Sequence, residues 1–136
     1  MSIRGFDHVA IPIENVAAML AFYRRLGFTV TSFEHDGLAF HSAHFGQHRI
    51  NFHAPETWRA ERFDLRGPKA LPGCGDFCFV WDGTLAALLD FIGQLGVEVE
   101  VGPVEMSGGR DQGRTIGQSV YLRDPDANLL EFIVYP

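Results

Sequence analysis

The sequence is poor in cysteine, in positive charge and in long apolar runs, and each shortage excludes a class of protein. It contains two cysteines, Cys74 and Cys78, whose spacing matches neither a zinc cluster nor a Cys-x-x-Cys redox pair. Two small buried thiols are the expectation for such a pair, although Cys78 begins a strand and is a candidate for a pocket wall. A fold stabilised by disulfides or zinc is therefore not indicated.

The charge balance and the short apolar runs bear on partners and location. Eleven Lys and Arg residues against 17 Asp and Glu residues give a formal net charge of −6, whereas nucleic-acid binding requires a basic patch that releases counterions. No apolar run reaches the ~20 residues needed to span a bilayer, and the N-terminus lacks the basic-then-apolar layout of a signal peptide. We expect a cytoplasmic protein with no nucleic-acid partner and no membrane partner.

Length and composition indicate one globular domain. The 136 residues are 46% hydrophobic and 21% charged, which is enough chain and enough apolar content to bury a core. The sequence has no Gly-x-Ser-x-Gly elbow, phosphate loop or dinucleotide fingerprint. Serine-based covalent catalysis and nucleotide binding are therefore unsupported.

Two segments of the chain share one helical pattern. Apolar residues recur at i, i+3, i+4, i+7 and i+10 in both, which predicts two amphipathic helices. Asn15 and Thr84 stand at the N-cap positions, and Gly27 and Gly96 follow the last apolar residues. The repeated residues are Val16, Met19, Leu20, Tyr23 and Leu26 in the first copy and Leu85, Leu88, Leu89, Ile92 and Leu95 in the second. Because the period is about half the chain, we predict two tandem modules and not a solenoid.

An alternating strand precedes each predicted helix. Bulky apolar residues alternate with small or polar ones in residues 8–13 and again in residues 76–81, as they do in strands with one buried face. Matching the bulky faces pairs His8 with Asp76. A gap-free alignment would pair His8 with Phe77 and turn the bulky face of one strand away from its helix. One extra residue in the second turn accounts for the offset.

The remaining pattern completes a repeated unit. Further strands are predicted near residues 37–44, 49–53, 118–123 and 129–134. The order of strand, helix and further strands occurs twice, so the predicted fold class is α+β with two tandem βαβββ modules. Module one covers about residues 1–55 and module two about residues 74–136. Residues 56–73 have no periodicity and are the predicted linker, which is also a candidate lid.

Polar side chains on inward strand faces predict one shared site. Glu131 lies in an otherwise apolar strand, where a buried carboxylate needs a cation or a hydrogen-bond partner. His8 and Asp76 occupy matching positions of the two opening strands. His53 is a fourth candidate, because it shares a strand face with Asn51. Imidazole and carboxylate together suit Zn, Mn, Fe, Co or Ni, and a catalytic ion keeps a position open for water or substrate.

Each candidate also has a purely structural interpretation. His8 taken alone is more often a capping or core histidine, and Asp76 follows Gly73-Cys74-Gly75, where it is able to close a turn through its backbone. Glu131 alone is equally compatible with an ion pair to Arg123 or with a solvent-exposed edge. Their equivalent positions in a twofold repeat favour the joint metal site over these separate interpretations.

Three runs of the sequence resemble the vicinal oxygen chelate superfamily of glyoxalases, bleomycin resistance proteins and dioxygenases. The resemblance covers nearly the whole chain outside the linker and is greatest to single-domain, lactoylglutathione-lyase-like members. Its most distinctive part is the closing run, which resembles the superfamily's usual ending. The runs are Asp7-His8-Val9-Ala10-Ile11 with Ala21-Phe22-Tyr23 and Leu26-Gly27-Phe28, then residues 76–102, then Tyr121-Leu122-Arg123-Asp124-Pro125-Asp126-Ala127-Asn128-Leu129-Leu130-Glu131.

The resemblance implies a fold and a metal site. The paired modules would form an open, cupped barrel of mixed β-sheet, with the helices outside and a divalent metal ion within. The first-strand His and last-strand Glu of the superfamily fall on His8 and Glu131, whereas Asp76 stands where the second module usually has another His. Two ligand sets remain open, one of His8, Asp76 and Glu131 and one in which His53 supplies the second imidazole.

Two functional hypotheses follow. The leading one is a metal-dependent lyase or isomerase that acts on a small oxygenated substrate through carbonyl or enediolate chemistry, with Glu131 as the first candidate for the base and Asp76 as the second. The alternative is a metal-free protein that sequesters a small molecule or an antibiotic. By analogy with paired-module proteins of this length, a homodimer is expected. The candidates for pocket walls are Asn51, Phe52, Cys78 and Trp58.

Overall fold

The computed structural model describes residues 2–136 and contains two copies of one βαβββ unit. The first copy consists of β1 (His8–Pro12), α1 (Val16–Arg25), β2 (Thr29–His35), β3 (Leu38–Phe45) and β4 (His48–His53), and a short helix, α2 (Pro55–Trp58), follows it. The second copy consists of β5 (Asp76–Val80), α3 (Leu85–Leu95), β6 (Val101–Ser107), β7 (Ile116–Arg123) and β8 (Leu129–Val134). The predicted α+β class and the repeated unit are confirmed.

Each copy builds one open four-stranded sheet. The strand order is β1-β4-β3-β2 in the first sheet and β5-β8-β7-β6 in the second. The opening strand of each copy is parallel to the closing one, and the other pairs are antiparallel. Two compact units result, the first ending at Cys74 and the second running from Gly75 to Pro136. No helix in the described part of the chain is long and apolar enough to cross a membrane.

The two predicted helices begin where the sequence pattern places them, but they are capped differently. Thr84 Oγ1 accepts a hydrogen bond of 3.1 Å from the backbone N–H of Ala87, as an N-cap side chain does. Asn15 holds the same position before α1, yet its side chain makes no cap hydrogen bond. Gly96 ends α3 in the left-handed conformation at φ 70°, which glycine adopts without a steric penalty.

The strand registers agree with the predicted pairing of His8 and Asp76. Each residue opens the strand that lies parallel to the closing strand of its own unit. Three residues, 13–15, separate β1 from α1, whereas four residues, 81–84, separate β5 from α3. The extra residue in the second turn is therefore present.

Alternation along the strands puts the large apolar side chains against the helix of each unit. In the first unit Ile50 and Phe52 are almost fully buried, and the Phe52 ring lies 5.2 Å from that of Tyr23 on α1. In the second unit Leu130 and Phe132 take the same positions on β8. Burying a side chain of this size contributes ~1.5–3 kcal/mol, so these faces hold the cores, and the opposite faces carry the polar residues.

The segment that follows β4 packs onto the first sheet. Thr57 Oγ1 donates a hydrogen bond of 2.6 Å to the Ala39 carbonyl, and the Trp58 indole donates one of 2.9 Å to the Ile13 carbonyl. Further along, the Phe63 ring lies 5.0 Å from the ring of His53. The predicted linker thus belongs to the compact first unit, and its role as a lid remains a prediction.

A buried turn joins β7 to β8. Asp124 Oδ1 accepts hydrogen bonds from the backbone N–H groups of Asp126 and Asn128, and the Asn128 amide donates to Asp124 Oδ2 at 2.8 Å. Asn128 Oδ1 also accepts from the N–H of Gly75, the residue before β5, at 2.7 Å. A Cβ at Gly75 would lie 2.8 Å from Asn128 Oδ1. This asparagine therefore connects the turn to the start of the parallel strand.

The prediction of two buried cysteines is wrong. Both cysteines are exposed, because Cys74 lies in the turn before β5 and Cys78 on the sheet face opposite α3.

We predict that Asn128→Ala destabilises the protein by about 2–4 kcal/mol, because it removes the buried hydrogen bonds that Asn128 makes to Asp124 Oδ2 and to the Gly75 N–H. Urea unfolding measures the change. Gln94→Ala, at an exposed position on α3, is the matched control and is expected to stay within about 0.5 kcal/mol of the parent. An equal effect of the two substitutions would contradict this account of the turn.

A second prediction concerns His53, which is 7% exposed and has its ring edge-on to Phe40 and Phe63. Burial, aided by the charge of Arg66, lowers the pKa of His53 below its ordinary value of 6.5. The unfolded chain therefore takes up this proton first, so the free energy of unfolding falls as the pH drops below about 6.5.

NMR titration of the ring is expected to give a His53 pKa below 6.5. His53→Gln is expected to reduce the loss of stability between pH 7 and pH 5, measured as the free energy of unfolding. A normal pKa together with an unchanged pH dependence would show that the ring is solvated.

Candidate functional site

Three side chains from adjacent strands form a row on the face of the second sheet that lies opposite α3. Glu131 on β8 is in register with Cys78 on β5 on one side and with Tyr121 on β7 on the other. Strands lie about 4.8 Å apart, so each neighbour is within hydrogen-bonding reach of the carboxylate. The predicted carboxylate is thus half-buried in the middle of the sheet with polar neighbours on both sides.

The Glu131 carboxylate is fixed by a hydroxyl group. Ser119 Oγ donates to Glu131 Oε2 at 2.6 Å, while Ser119 itself is fully buried. The alternative partner considered from the sequence, Arg123, is bound to Glu100 at 2.8 Å instead. Glu131 is therefore a carboxylate satisfied by hydrogen bonds, with its second oxygen, Oε1, not used by Ser119.

The neighbours of Glu131 stay protonated at neutral pH. Burial, a hydrogen bond to Glu131 and the charge of Glu131 raise the pKa of Tyr121 to about 12. Although the Cys78 residue is exposed, partial desolvation of its thiol, together with the charge of Glu131 and a hydrogen bond to it, raises the pKa of Cys78 to about 12. Both groups are therefore proton donors towards the carboxylate, and Cys78 is neither a nucleophile nor a thiolate ligand at neutral pH.

Asp76 lies on the same face as Glu131 and close to it. It precedes Cys78 by two residues on β5, so its Cα is about 8 Å from that of Glu131, the usual distance for diagonal neighbours. The turn before β5 is closed by Asn128 through Gly75, and the Asp76 side chain is exposed. Two carboxylates of the second unit therefore share one accessible face.

His8 opens the first strand of the first unit and is oriented by its neighbour. Its Nδ1 is 2.6 Å from Asp7 Oδ1, and this hydrogen bond is the main reason that the pKa of Asp7 is lowered. With Nδ1 bound to a carboxylate, Nε2 is the nitrogen left for another partner. A carboxylate behind the imidazole is the usual arrangement around a metal-binding histidine.

Asn51, which the sequence suggested only as a pocket wall, occupies a central position in the first sheet. It is in register with Ala10 on β1 and Ser42 on β3, as Glu131 is with Cys78 and Tyr121. Ser42 Oγ donates to Asn51 Oδ1 at 2.8 Å. Asn51 is thus the counterpart of Glu131 in the first unit. Aligning Ile50-Asn51-Phe52 with Leu130-Glu131-Phe132 would have revealed the equivalence.

The structure does not bring His53 to His8. His8 is opposite Arg49, and His53 lies four residues further along the same strand, opposite Pro12. Four residues of strand span about 13 Å, which two imidazoles cannot bridge through one ion. His53 is also enclosed by Phe40 and Phe63, so the ligand set that combined it with His8 is corrected.

Two of the proposed pocket walls have other roles. Phe52 is fully buried beside α1, on the opposite face from Asn51. The Trp58 indole is bound to the Ile13 carbonyl, and its ring is covered by the guanidinium groups of Arg59 and Arg66. Of the four candidates, Asn51 and Cys78 lie on the polar sheet faces.

The described residues do not form a metal site. Within residues 2–136, no group of three or more His, Cys, Asp or Glu side chains is placed to hold an ion. The second unit has two carboxylates on one sheet face, Asp76 and Glu131, and the first unit has one imidazole, His8, that is bound to Asp7.

Known proteins match the whole length of the chain. The Salmonella typhimurium virulence protein STM3117 is 30% identical over 99% of this chain and 87% of that protein, and its crystal structure superposes with a TM-score of 0.84 over 100% of both chains. The Mycosarcoma maydis glyoxalase domain-containing protein RDO1 is 34% identical over 99% of this chain and 70% of that protein. Both likenesses extend across the two βαβββ units.

A more distant structure shares the fold alone. Lactoylglutathione lyase from Agrobacterium tumefaciens has a TM-score of 0.70 at 23% identity, covering 98% of this chain and 95% of that one. The family model described as the glyoxalase/bleomycin resistance protein/dioxygenase superfamily matches residues 5–132. The chain therefore belongs to the glyoxalase/bleomycin resistance protein/dioxygenase superfamily.

Proposed function

We propose that this protein is a metal-dependent glyoxalase-like enzyme of the lyase or isomerase type, which acts on a small oxygenated substrate through carbonyl or enediolate chemistry. The observation that carries the proposal is the Glu131 carboxylate, which is half-buried, fixed by Ser119 at 2.6 Å and flanked by Tyr121. A carboxylate held in place among protonated donors suits the transfer of a proton at a substrate carbon.

Imidazole and carboxylate are donor types that Zn, Ni, Mn, Fe and Co accept, and one of these divalent ions is the proposed cofactor. His8 would offer Nε2, because its Nδ1 is bound to Asp7. Glu131 would offer Oε1, because Ser119 holds its other oxygen, and Asp76 would complete the set with an exposed carboxylate. Such an ion supplies a Lewis acid that polarises a substrate carbonyl.

The side chains of the chain itself would carry the proton. Glu131 is the first candidate for the general base, provided that its carboxylate leaves the ion, and Asp76, on the same face, is the second. The Tyr121 phenol keeps its proton at neutral pH because its pKa is raised to about 12, so it would hold the carboxylate through a hydrogen bond without competing for the substrate proton. Ser119 and Tyr121 would then act as positioning residues for Glu131.

The proposed setting is a homodimer in the cytoplasm with a small molecule as its substrate. The formal net charge of −6 supports the absence of a nucleic-acid partner, and no membrane partner is proposed. The name of the relative RDO1 supports the glyoxalase assignment only at the level of the domain.

A second candidate function is metal-free sequestration of a small molecule or an antibiotic. Asn51 favours it, because the first unit carries a neutral amide where the second unit carries Glu131. One charge fewer weakens an ion site and leaves a polar face that is able to bind a ligand directly.

Turnover of methylglyoxal with glutathione tests the enzyme. Protein stripped with a chelator and reloaded with each divalent ion in turn is expected to show activity with at least one of them. Glu131→Gln is expected to lower kcat by about 10²–10⁴-fold, the usual contribution of a general base. Glu98→Gln, at an exposed loop position, is the matched control and should keep the parent rate.

Absence of turnover with every ion would rule out the glyoxalase version. Full activity of Glu131→Gln alongside an inactive Asp76→Asn variant would transfer the role of base to Asp76. Asp90→Asn, exposed on α3, is the control for that second substitution.

Elemental analysis after gentle purification separates the two candidate functions. The enzyme hypothesis predicts a stoichiometric transition metal, and it predicts at least a tenfold loss of affinity in His8→Ala, because a nitrogen ligand is removed. His48→Ala changes an exposed histidine of the same unit and should leave the metal content unchanged. Metal-free protein that binds small molecules with full affinity would favour sequestration.

A further inference from the structure

A row of nitrogen donors crosses one face of the first sheet. His8 on β1 is in register with Arg49 on β4, and Arg49 is in register with His44 on β3. The three side chains lie on the face opposite α1, because the intervening Ile50 is buried against that helix. Neighbouring strands are about 4.8 Å apart, so the row places one guanidinium between two imidazoles.

The Arg49 guanidinium has no bound partner of opposite charge. Among residues 2–136 it takes part in no ion pair and no side-chain hydrogen bond. Asp7 is near enough for Arg49 to help lower its pKa, but the larger cause is the hydrogen bond that Asp7 makes to His8. Arg49 is therefore a permanent cation whose guanidinium N–H groups are available to bind an anion.

The position of Arg49 makes this arrangement costly without a ligand. β4 is an inner strand of its sheet, and Arg49 is half-buried there. A half-buried cation loses part of its hydration. An anion bound at Arg49 would offset that loss.

The neighbouring groups are arranged for an oxygen-rich ligand. His44 Nε2 is 2.9 Å from Thr31 Oγ1, which holds the imidazole in place beside Arg49. One step along the sheet lie Asn51 and Ser42, joined by a hydrogen bond of 2.8 Å. The cation thus has polar groups beside it that are able to bind a hydroxyl or carbonyl oxygen next to a carboxylate.

The charge of the first unit favours the same class of ligand. Residues 1–74 contain eight Lys and Arg against seven Asp and Glu and all six histidines, whereas residues 75–136 contain three Arg against ten Asp and Glu. The excess negative charge of the chain therefore lies in the second unit, and an anion is attracted to the first.

We propose that Arg49, with His44 beside it, binds the carboxylate of a small oxygenated acid, and that the substrate class of the enzyme is such an acid. The assignment to a substrate rests on the proposed function, whereas the binding itself does not. The chemistry recognised is an oxyanion, for which a phosphate group is the other source. A guanidinium binds either one through paired N–H donors.

The experiment uses the full chain after removal of metal with a chelator, so that failure of catalysis does not affect it. Glycolate, inorganic phosphate and ethylene glycol are titrated separately, and the backbone amide shifts of Arg49 and His44 are followed by NMR. Glycolate is expected to saturate these shifts at millimolar concentration, on the order expected for so small a ligand. Ethylene glycol, which has the same skeleton without the carboxylate, is expected to leave them unchanged.

Substitutions locate the site. Arg49→Gln is expected to weaken glycolate binding about tenfold or more, since a charge-assisted hydrogen bond is lost. Arg49→Lys keeps the positive charge but removes the paired N–H donors, and it should lose less affinity for glycolate than Arg49→Gln does. Arg24→Gln, at an exposed position on α1, is the matched control and should bind as the parent does. Thermal unfolding of each variant establishes that it is folded.

Three results would overturn the proposal. Equal shifts with glycolate and ethylene glycol would show that the carboxylate is not recognised. Equal affinities of Arg49→Gln and Arg24→Gln would place binding elsewhere. Binding of phosphate that depends on Arg49, without binding of glycolate, would assign the row to phosphate and reject the carboxylic acid as the substrate class.

Discussion

The buried side chain of Asn128 holds the opening strand of the second unit against its closing strand. Its carbonyl oxygen accepts from the Gly75 N–H, and its amide donates to Asp124. Because a parallel pair has no hairpin to set its register, this link and the Leu129 N–H bond to the Gly75 carbonyl at 2.9 Å fix which residues stand side by side. Cys78 therefore lies opposite Glu131, and the polar row exists.

The two units use one scaffold for different chemistry. At equivalent sheet positions the second unit has Asp76 and Glu131 and the first has His8 and Asn51. The second face is therefore acidic and rich in protonated donors, whereas the first carries an imidazole, an amide and the cation of Arg49. We propose a proton acceptor in the second unit and an anion-binding group in the first, a division that a duplicated fold permits because function resides in the side chains placed on it.

Local patterns made the fold predictable, and long-range contacts limited the prediction of the site. The helical period and the terminal glycines placed α1 and α3, and alternation identified which face of β1 carries His8. The burial of His53 depends in part on its contact with Phe63. Phe63 lies in a segment without periodicity, so no local sequence pattern predicted this contact. The equivalence of Asn51 and Glu131 could have been read from the matching triplets around them, whereas their cross-strand neighbours follow only from strand register, which a sequence specifies weakly. The Trp58 indole donates a hydrogen bond to the Ile13 carbonyl, although the sequence suggested Trp58 as a pocket wall.

The most direct test of the central claim is a crystal grown with Co²⁺ and measured at the cobalt absorption edge. If Glu131 is a metal ligand, as proposed, an anomalous peak is expected about 2.0–2.2 Å from one of its carboxylate oxygens, the distance normal for an oxygen ligand of such an ion. A well-ordered ion bound elsewhere, or no ion at Glu131, would contradict the proposal.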